Sequence, residues 1–330
     1  MSPSRALLRE RLPGYAGQAV LLGVVAWLAW HGIANFRANL AQLHIASGFD
    51  FLRGQAGFEI AQALVPFAAG STYLDAVVVA TLNTLLVVAL SVLLGTGAAL
   101  LVAFGRLTEQ PLVRAACTVY VEVFRNIPLL LQIFFWYYSV LALLPPVADS
   151  LHAGGMLLNN RGLFLPWPHW SEGSLALERP VAEGFNVAGG VALLPELVAL
   201  TLGLAIYNSA FLAEIFRAGI QSVPRGQSEA AASVGLTGAR AAWLVVLPQA
   251  LRLALPPAAG QYQSLAKASS LAAAIGYPDI MQIVGGTVLS QTSQALEAMT
   301  LVVVLYAAIN LAIALAVNLA NRRLLRRQLR

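Results

Sequence analysis

Long apolar runs separated by shorter polar stretches are the first pattern along the chain, and their length identifies their medium. A helix needs about 20 mostly apolar residues to cross roughly 30 Å of hydrocarbon at about 1.5 Å per residue. Windows that meet this requirement lie near 16–34, 77–103, 118–144, 192–213, 248–272 and 298–320, so six spanning helices are expected. Pro128 interrupts the third window, and Pro256 with Pro257 interrupts the fifth, which makes these the two places where a span should break. The expected fold is an all-α integral membrane protein. Its parts are a first helix with an outer segment over 1–71, a helical core over 72–320, and a basic tail over 321–330.

Composition agrees with the pattern. Hydrophobic residues make up 58% of the chain and charged residues 11%, against roughly 25% charged in an average soluble domain. The formal charge of +5 raises the question of nucleic acid, and the distribution of the arginines answers it. Of the 20 basic residues, 15 fall on one side of a six-span topology: Arg5, Arg9, Arg11, Arg106, Arg114, Arg125, Arg217, Arg225, Arg240, Arg252, Arg322, Arg323, Arg326, Arg327 and Arg330. Arg37, Arg53, Arg161 and Arg179 fall on the other, among Asp50, Glu59, Asp75, Asp149, Glu172, Glu178, Glu183, Glu196, Asp279 and Glu297. Such asymmetry is the positive-inside rule and puts both termini in the cytoplasm. The tail from Arg322 reads as a membrane-surface stop and not as a nucleic-acid arm. A basic start before an apolar run also describes a signal peptide, with Gly32-Ile33-Ala34 as cleavage site. The length of the run and the interfacial Trp27 and Trp30 favour a retained helix.

Several chemistries are excluded or unsupported. Cys117 is the single cysteine, so neither an internal disulfide nor a cysteine metal cluster can form. A phosphate-binding P-loop needs a lysine after its second glycine, and the single lysine, Lys267, follows Ala266. No His-Glu-x-x-His pattern occurs, and His31, His44, His152 and His169 sit on or beside the outer segments at unrelated spacings. No repeated halves of the kind found in many secondary transporters are visible.

Two polar stretches lie outside, 35–75 and 145–190; the second, with Trp167 and Trp170 flanking Pro168, suits a loop at the outer interface. Of the inner stretches, 104–116 is short and 214–247 is long. Within the latter, residues 229–248 read EAAASVGLTGARAAWLVVLP. Glu229 to Val234 forms a short helical piece, Gly235 and Gly238 supply a turn, and Ala239 to Leu247 resumes as a helix that enters the membrane at Pro248. The product is a cytoplasmic elbow with small residues on its surface, a shape that another protein's groove can hold.

Glu229-Ala230-Ala231, Gly235, Val245 and Leu247-Pro248, at these spacings, resemble the EAA loop of ABC importer permeases, in which isoleucine is preferred where Val245 stands. Three flanking stretches resemble the polar amino-acid branch of that family: TLNTLLVVALSVLLG from Thr81, VEVFRNIPLLLQ from Val121, and YNSAFLAEIFRAGIQSVPRGQ from Tyr207. LAKASSLAAAIGYPDI from Leu265 is similar to its penultimate helix. The resemblance covers about 72–320, and the extra first helix and outer insert are like those of the general L-amino-acid and glutamate/glutamine/aspartate permeases. It implies a type I importer core of five helices plus one, in the bacterial inner membrane. It also implies a second, homologous or identical permease, a periplasmic amino-acid-binding protein and an amino-acid substrate. The chain itself would hold no cofactor; ATP and Mg²⁺ would be bound by a separate ABC ATPase dimer, on which Glu229, Ala230, Ala231 and Gly235 would dock.

Lys267 is the sharpest chemical oddity, because a charge at bilayer depth costs about 2.5 to 3.5 kcal/mol on insertion scales. It needs an anionic partner, which an amino-acid carboxylate supplies, or must snorkel to the outer interface. Pro256-Pro257 frees backbone carbonyls that only protein or a wet cavity can satisfy. Gln261, Gln263, Ser264, Ser269 and Ser270 would then line a pathway, joined from other spans by Asn83, Thr84, Asn208 and Ser209. Buried amides in membrane helices also bond neighbouring helices, so each of the latter has a purely structural alternative. Glu122 with Arg125, and Glu214 with Arg217, stand three apart on helices and should pair. Two other classes stay open: an ion-driven secondary transporter, and an assembly half with no pathway of its own. The arginine asymmetry makes a direct prediction. A reporter active only outside the cytoplasm should be silent when fused after Arg330 and active at Ser171; the reverse would overturn the sidedness.

Overall fold

The computed structural model describes residues 3–42, 48–140, 143–171 and 174–328; His44, Glu172 and Arg330 lie outside these. Among the described residues, five helices are long and apolar enough to span: Gly17–Asn35 within α1 (Pro3–Gln42), α2 (Tyr73–Leu107), α5 (Pro195–Gln221), Gly238–Ile275, and Ala295–Arg323 within α11 (Ala295–Gln328). The third expected span is the broken one, and counting its bent pair as one span brings the total to six. Residues 118–144 do not form one helix: α3 (Pro111–Asn126) and α4 (Leu129–Phe134, prolonged by a π turn over Phe135–Val140) meet at 106°. The reason is local. A residue before proline is pushed out of the helical region, and Ile127 is extended at φ −86, ψ 127. The carbonyls freed there are recovered inside the fold, because Gln132 Nε2 donates to Phe124 O at 2.9 Å and Ile127 O at 3.0 Å.

Pro256 and Pro257 behave differently. Helix α8 (Leu247–Ala268) runs through both without a break. Neither proline has an N–H to offer the carbonyl four residues back, and Arg252 and Leu253, at those positions, are exposed.

Helix α5 is the hub. Of its apolar window 61% is buried, against 28% for α2 and 11% for α11, so it sits between the others. Its contact with α2 is made by small residues, which let backbones approach closely: Gly95 lies against the Ala205 carbonyl, and Ser91 Oγ donates to Thr201 O at 3.4 Å. One apolar cluster fills the outer half, with Val87, Leu200, Leu204, Tyr277 and Val284. A second, with Ala103, Val121, Leu212, Phe216 and Ala254, fills the inner half.

Beyond α8 the chain makes a 3₁₀ stretch (Ser269–Ile275) and then folds back as α9 (Ile280–Gln282), a π turn (Ile283–Val288) and α10 (Leu289–Thr292). Asn83 and Thr84 hold this limb in place. Asn83 Nδ2 donates to Gln62 O at 2.8 Å and Pro278 O at 2.9 Å, while Thr84 Oγ1 accepts from Ile280 N at 3.1 Å. Asp279 caps α9 by accepting from Gln282 N at 2.8 Å, and accepts from Tyr306 Oη at 2.8 Å.

The outer insert, expected as a loop, contains eight short strands: β1 (Leu151–Ala153), β2 (Met156–Asn159), β3 (Gly162–Leu165), β4 (Trp167–Ser171), β5 (Ser174–Glu178), β6 (Val181–Glu183), β7 (Asn186–Ala188) and β8 (Val191–Leu193). They form an antiparallel sheet in the order β1-β2-β3-β8 and two ribbons, β4-β5 and β6-β7. Gly154-Gly155, both with positive φ, closes β1 to β2 as a two-residue hairpin turn.

The α5–α8 contact yields a prediction. A side chain at Gly219 would meet the Ala250 carbonyl at 2.9 Å and Ala254 Cβ at 3.0 Å, whereas Gly97 of α2 has nothing within 4 Å. Gly219→Leu should lower the thermal midpoint of the purified chain, since overpacking costs about 1–3 kcal/mol. Gly97→Leu, with the same gain in helix propensity, should leave it unchanged or raise it.

Candidate functional site

Two surfaces combine exposure with unusual chemistry, and the first is the elbow. Helix α6 (Arg225–Ser233) starts after Pro224 and ends in a Schellman closure: Gly235 N donates to Ala232 O and Leu236 N to Ala231 O, both at 3.0 Å. Gly235 sits at φ +82, and no atom crowds its Cβ position, so backbone angle and not space selects glycine there. Helix α7 (Gly238–Ala241) and a π turn (Ala242–Val246) then lead into α8. Ala231 and Ala241 are buried, while Glu229, Ala230 and Gly235 are exposed beside Val234, Trp243 and Leu244. Gln249 Nε2 ties the start of α8 to Gln227 Oε1 at 3.1 Å. Above the elbow, Glu214 binds both Arg217 and Arg106, linking α5 to the end of α2. Glu122 and Arg125, expected to pair likewise, do not: Arg125 lies 5.0 Å over the Phe211 ring instead, a cation–π contact.

The second surface is the exposed face of α8, which carries Pro256, Pro257, Gly260, Ser264 and Lys267. The contrast with its neighbours decides what it faces. Large exposed positions on α2 include Val78, Leu85, Leu93, Leu94 and Leu101, and on α11 Val304 and Leu315, as lipid requires. Beyond the exposed Leu253, the α8 face carries no large apolar side chain and is small and polar.

A groove lies on each flank of this ridge. Gln263, Lys267 and Ser270 line one of about 710 Å³, completed by Tyr306 and Asn310 of α11. Gln261 and Ser264 line another of about 240 Å³, with Tyr207, Leu129 and Ala268. The other expected pathway residues are placed elsewhere. Asn83 and Thr84 anchor the folded-back limb, and Ser209 Oγ is bonded with Tyr120 Oη at 2.6 Å. Ser269 Oγ donates to Ala266 O at 2.8 Å, and Asn208 is buried against Gly95. All five are fully or almost fully buried between helices. Tyr306 and Asn310 were missed from sequence. Asn310 had a signal, a polar residue inside the last apolar run; Tyr306 had none, because a lone tyrosine suits any helix interface.

Depth follows from one bond. Gln263 Nε2 donates to Asn310 O at 3.1 Å, and Asn310 stands about 22 Å along α11 from Ala295 and about 20 Å from Arg323. The groove is therefore near mid-span. Lys267, one turn further out, lies about 16 Å below the level of Ala295, more than a four-carbon stem can reach.

The sequence profile of the family described as "Binding-protein-dependent transport system inner membrane component" matches residues 91–327. The chain belongs to that family. It is 40% identical to a putative amino-acid ABC transporter permease of Escherichia coli K12, over 92% of this chain and 91% of that protein. It is 39% identical to the general L-amino acid transport system permease of Rhizobium johnstonii, over 92% and 89%. The glutamate/glutamine/aspartate/asparagine permease of Rhodobacter capsulatus is 32% identical over 92% and 91%. Among solved structures, an amino acid ABC transporter aligns with a TM-score of 0.56 and 25% identity, over 76% of this chain and 95% of that one. A methionine ABC transporter in an inward-facing conformation shares the fold at 0.50 and 18%, over 76% and 96%. As an ABC transporter permease, the chain is a non-enzymatic membrane subunit of a type I importer, and the ion-driven reading falls away.

Within this binding-protein-dependent permease, the elbow's closure can be tested alone. Gly235→Ala should destabilise it, because the left-handed region costs an L-residue about 1–2 kcal/mol, and Gly235→Asn should lose less. Gly238→Ala, in a helical position, should be neutral or favourable. Amide exchange over 225–247 reads all three.

Proposed function

We propose that this permease carries amino acids inward as one half of a pathway, with its elbow seated on a separate ABC ATPase dimer and the exposed face of α8 turned to a second permease subunit. The observation that carries the reading is the small, polar face of α8 at mid-span, which hydrocarbon cannot solvate. The named relatives supply the substrate class, since they are permeases for general L-amino acids and for glutamate, glutamine, aspartate and asparagine. A periplasmic binding protein would deliver the amino acid, and ATP with Mg²⁺ would stay on the ATPase. The inner membrane of a bacterium, with both termini cytoplasmic, is the matching location.

In this reading Glu229, Ala230 and Gly235 form the gripped surface, while Ala231, expected to join them, is buried and packs the elbow from beneath. The exposed carboxylate gives the ATPase a charge to hold, Ala230 permits close approach, and the Schellman closure fixes the angle at which α6 turns into α8. Movement of the elbow would reach the pathway directly, because the chain from α7 continues into α8. Lys267 offers an ammonium to the substrate carboxylate in a groove whose other polar groups, Gln263, Ser270, Tyr306 and Asn310, are uncharged. Low dielectric strengthens that attraction, and a charge at that depth is costly until an anion stands beside it.

Lys267→Met keeps most of the stem and removes the charge. In assembled complexes it should insert normally but lose most uptake and most substrate-stimulated ATPase activity. Wild-type values for both would move the binding site to the other permease and make this chain the pathway-less half. Glu229→Lys should abolish uptake in complexes whose Lys267 groove is unaltered; persistence of coupled uptake would overturn the docking assignment.

A further inference from the structure

We propose that the substrate reaches Lys267 from outside along the limb 281–290, through a track that begins in a mixed-charge cavity and narrows at Gly285 and Gly286. The inference deepens the proposed function and rests on its reading of the Lys267 groove as a ligand site. Three neighbouring cavities make the track. The outermost, about 590 Å³, lies where residues 58–61, the start of α5 and the folded-back limb converge, and its charged residues are Glu59, Arg161 and Glu196. The middle one, about 390 Å³, is lined by Ala273, Gly285, Gly286 and Ser290. The innermost is the 710 Å³ groove of Lys267. Gln282 and Thr287 line both the first and the second, and Met281 lines both the second and the third, so the three lie side by side along the limb.

The chemistry along this line matches a zwitterion. Arg161 suits a carboxylate, and Glu59 with Glu196 suits an ammonium, in a space within the range typical of small-molecule sites. These three charges are not spent on one another: among the described residues no ion pair joins Arg161 to Glu59 or Glu196. Arg161 is instead positioned by a bond from its guanidinium to Asn186 Oδ1 at 2.8 Å, and Glu196 by Tyr137 Oη at 2.9 Å. Further in, the limb is a π turn over Ile283–Val288, a geometry that recurs at functional sites. Of its two glycines, Gly285 lets the Met281 side chain pack close, where a Cβ would stand 3.0 Å from the sulfur, and Gly286 leaves open space. Gly286 is exposed, and the nearest atom to a Cβ there is the Met281 carbonyl at 3.9 Å, so a side chain would project into open space without straining the fold. Gln282, Thr287 and Ser290 provide hydrogen-bonding groups between the mouth and Lys267.

The test uses the full complex in proteoliposomes, with Cys117→Ala as background. Gly286→Cys should react with a membrane-impermeant thiol reagent applied from the outside, severalfold more slowly when binding protein and saturating amino acid are present. The modified complex should lose uptake. Val78→Cys, on the lipid-facing side of α2, should not react. An unreactive Gly286→Cys in a complex that still transports, or one whose modification leaves uptake intact, overturns the track. For the mouth, Arg161→Gln should lower uptake, while Asn186→Ala, which removes the tether and keeps the charge, should lower it much less; equal losses would make Arg161 a scaffold residue and overturn the mouth. The two readings fail separately. Loss of uptake in Lys267→Met with indifferent Gly286 modification removes only the track, and normal uptake in Lys267→Met with blocking modification removes only the role of Lys267.

Discussion

Hydrocarbon offers no hydrogen bonds, and most of this structure is an answer to that constraint. Two departures from a straight apolar helix are matched by partners elsewhere in the chain. The 106° bend before α4 is met by Gln132, which collects two carbonyls. The folded-back limb at 276–292 is met by Asn83 and Thr84 from α2 and by Tyr306 from α11. Asn83 and Thr84 look like pathway lining in a linear sequence because they are polar and deep. Their bonds show what they hold up.

Helix α8 is the place where the constraint is not met within one chain. Two prolines contribute no N–H to its helical ladder, and Gly260, Ser264 and Lys267 continue the same exposed face toward mid-span. A helix in that condition needs water, a ligand or another protein against it. The family to which the chain belongs supplies the setting, and the position of the face, flanked by two grooves, explains how a pathway can border a helix that also meets a neighbour.

The elbow and the pathway are joined by short connections. Helix α5 ends next to α6, its Glu214 holds the end of α2, and its Gly219 lies against Ala250 and Ala254 of α8. A close helix pair with no flexible side chains between its backbones transmits displacement with little loss. A push on the elbow is thereby delivered to α5 and α8 together; α8 borders both grooves and α5 the smaller one.

The sequence by itself determined the membrane class, the apolar segments other than the bent third, the elbow with its glycine cap, and the family, because each rests on local information. Apolar run length, the spacing of Glu229 to Pro248 and the angle preference of Gly235 are all properties of neighbouring residues. Only the tertiary structure decided which polar residues face a cavity. Asn83 and Lys267 are equally deep and equally polar in the sequence; one finds the carbonyls of Gln62 and Pro278, residues distant along the chain, and the other finds a groove. The strands of the outer insert were hidden for a related reason, since their pairing is set by turns such as Gly154-Gly155 and not by apolar periodicity. Tyr306 and Asn310 joined Lys267 only when α11 was laid against α8, a contact that no pattern within either helix specifies.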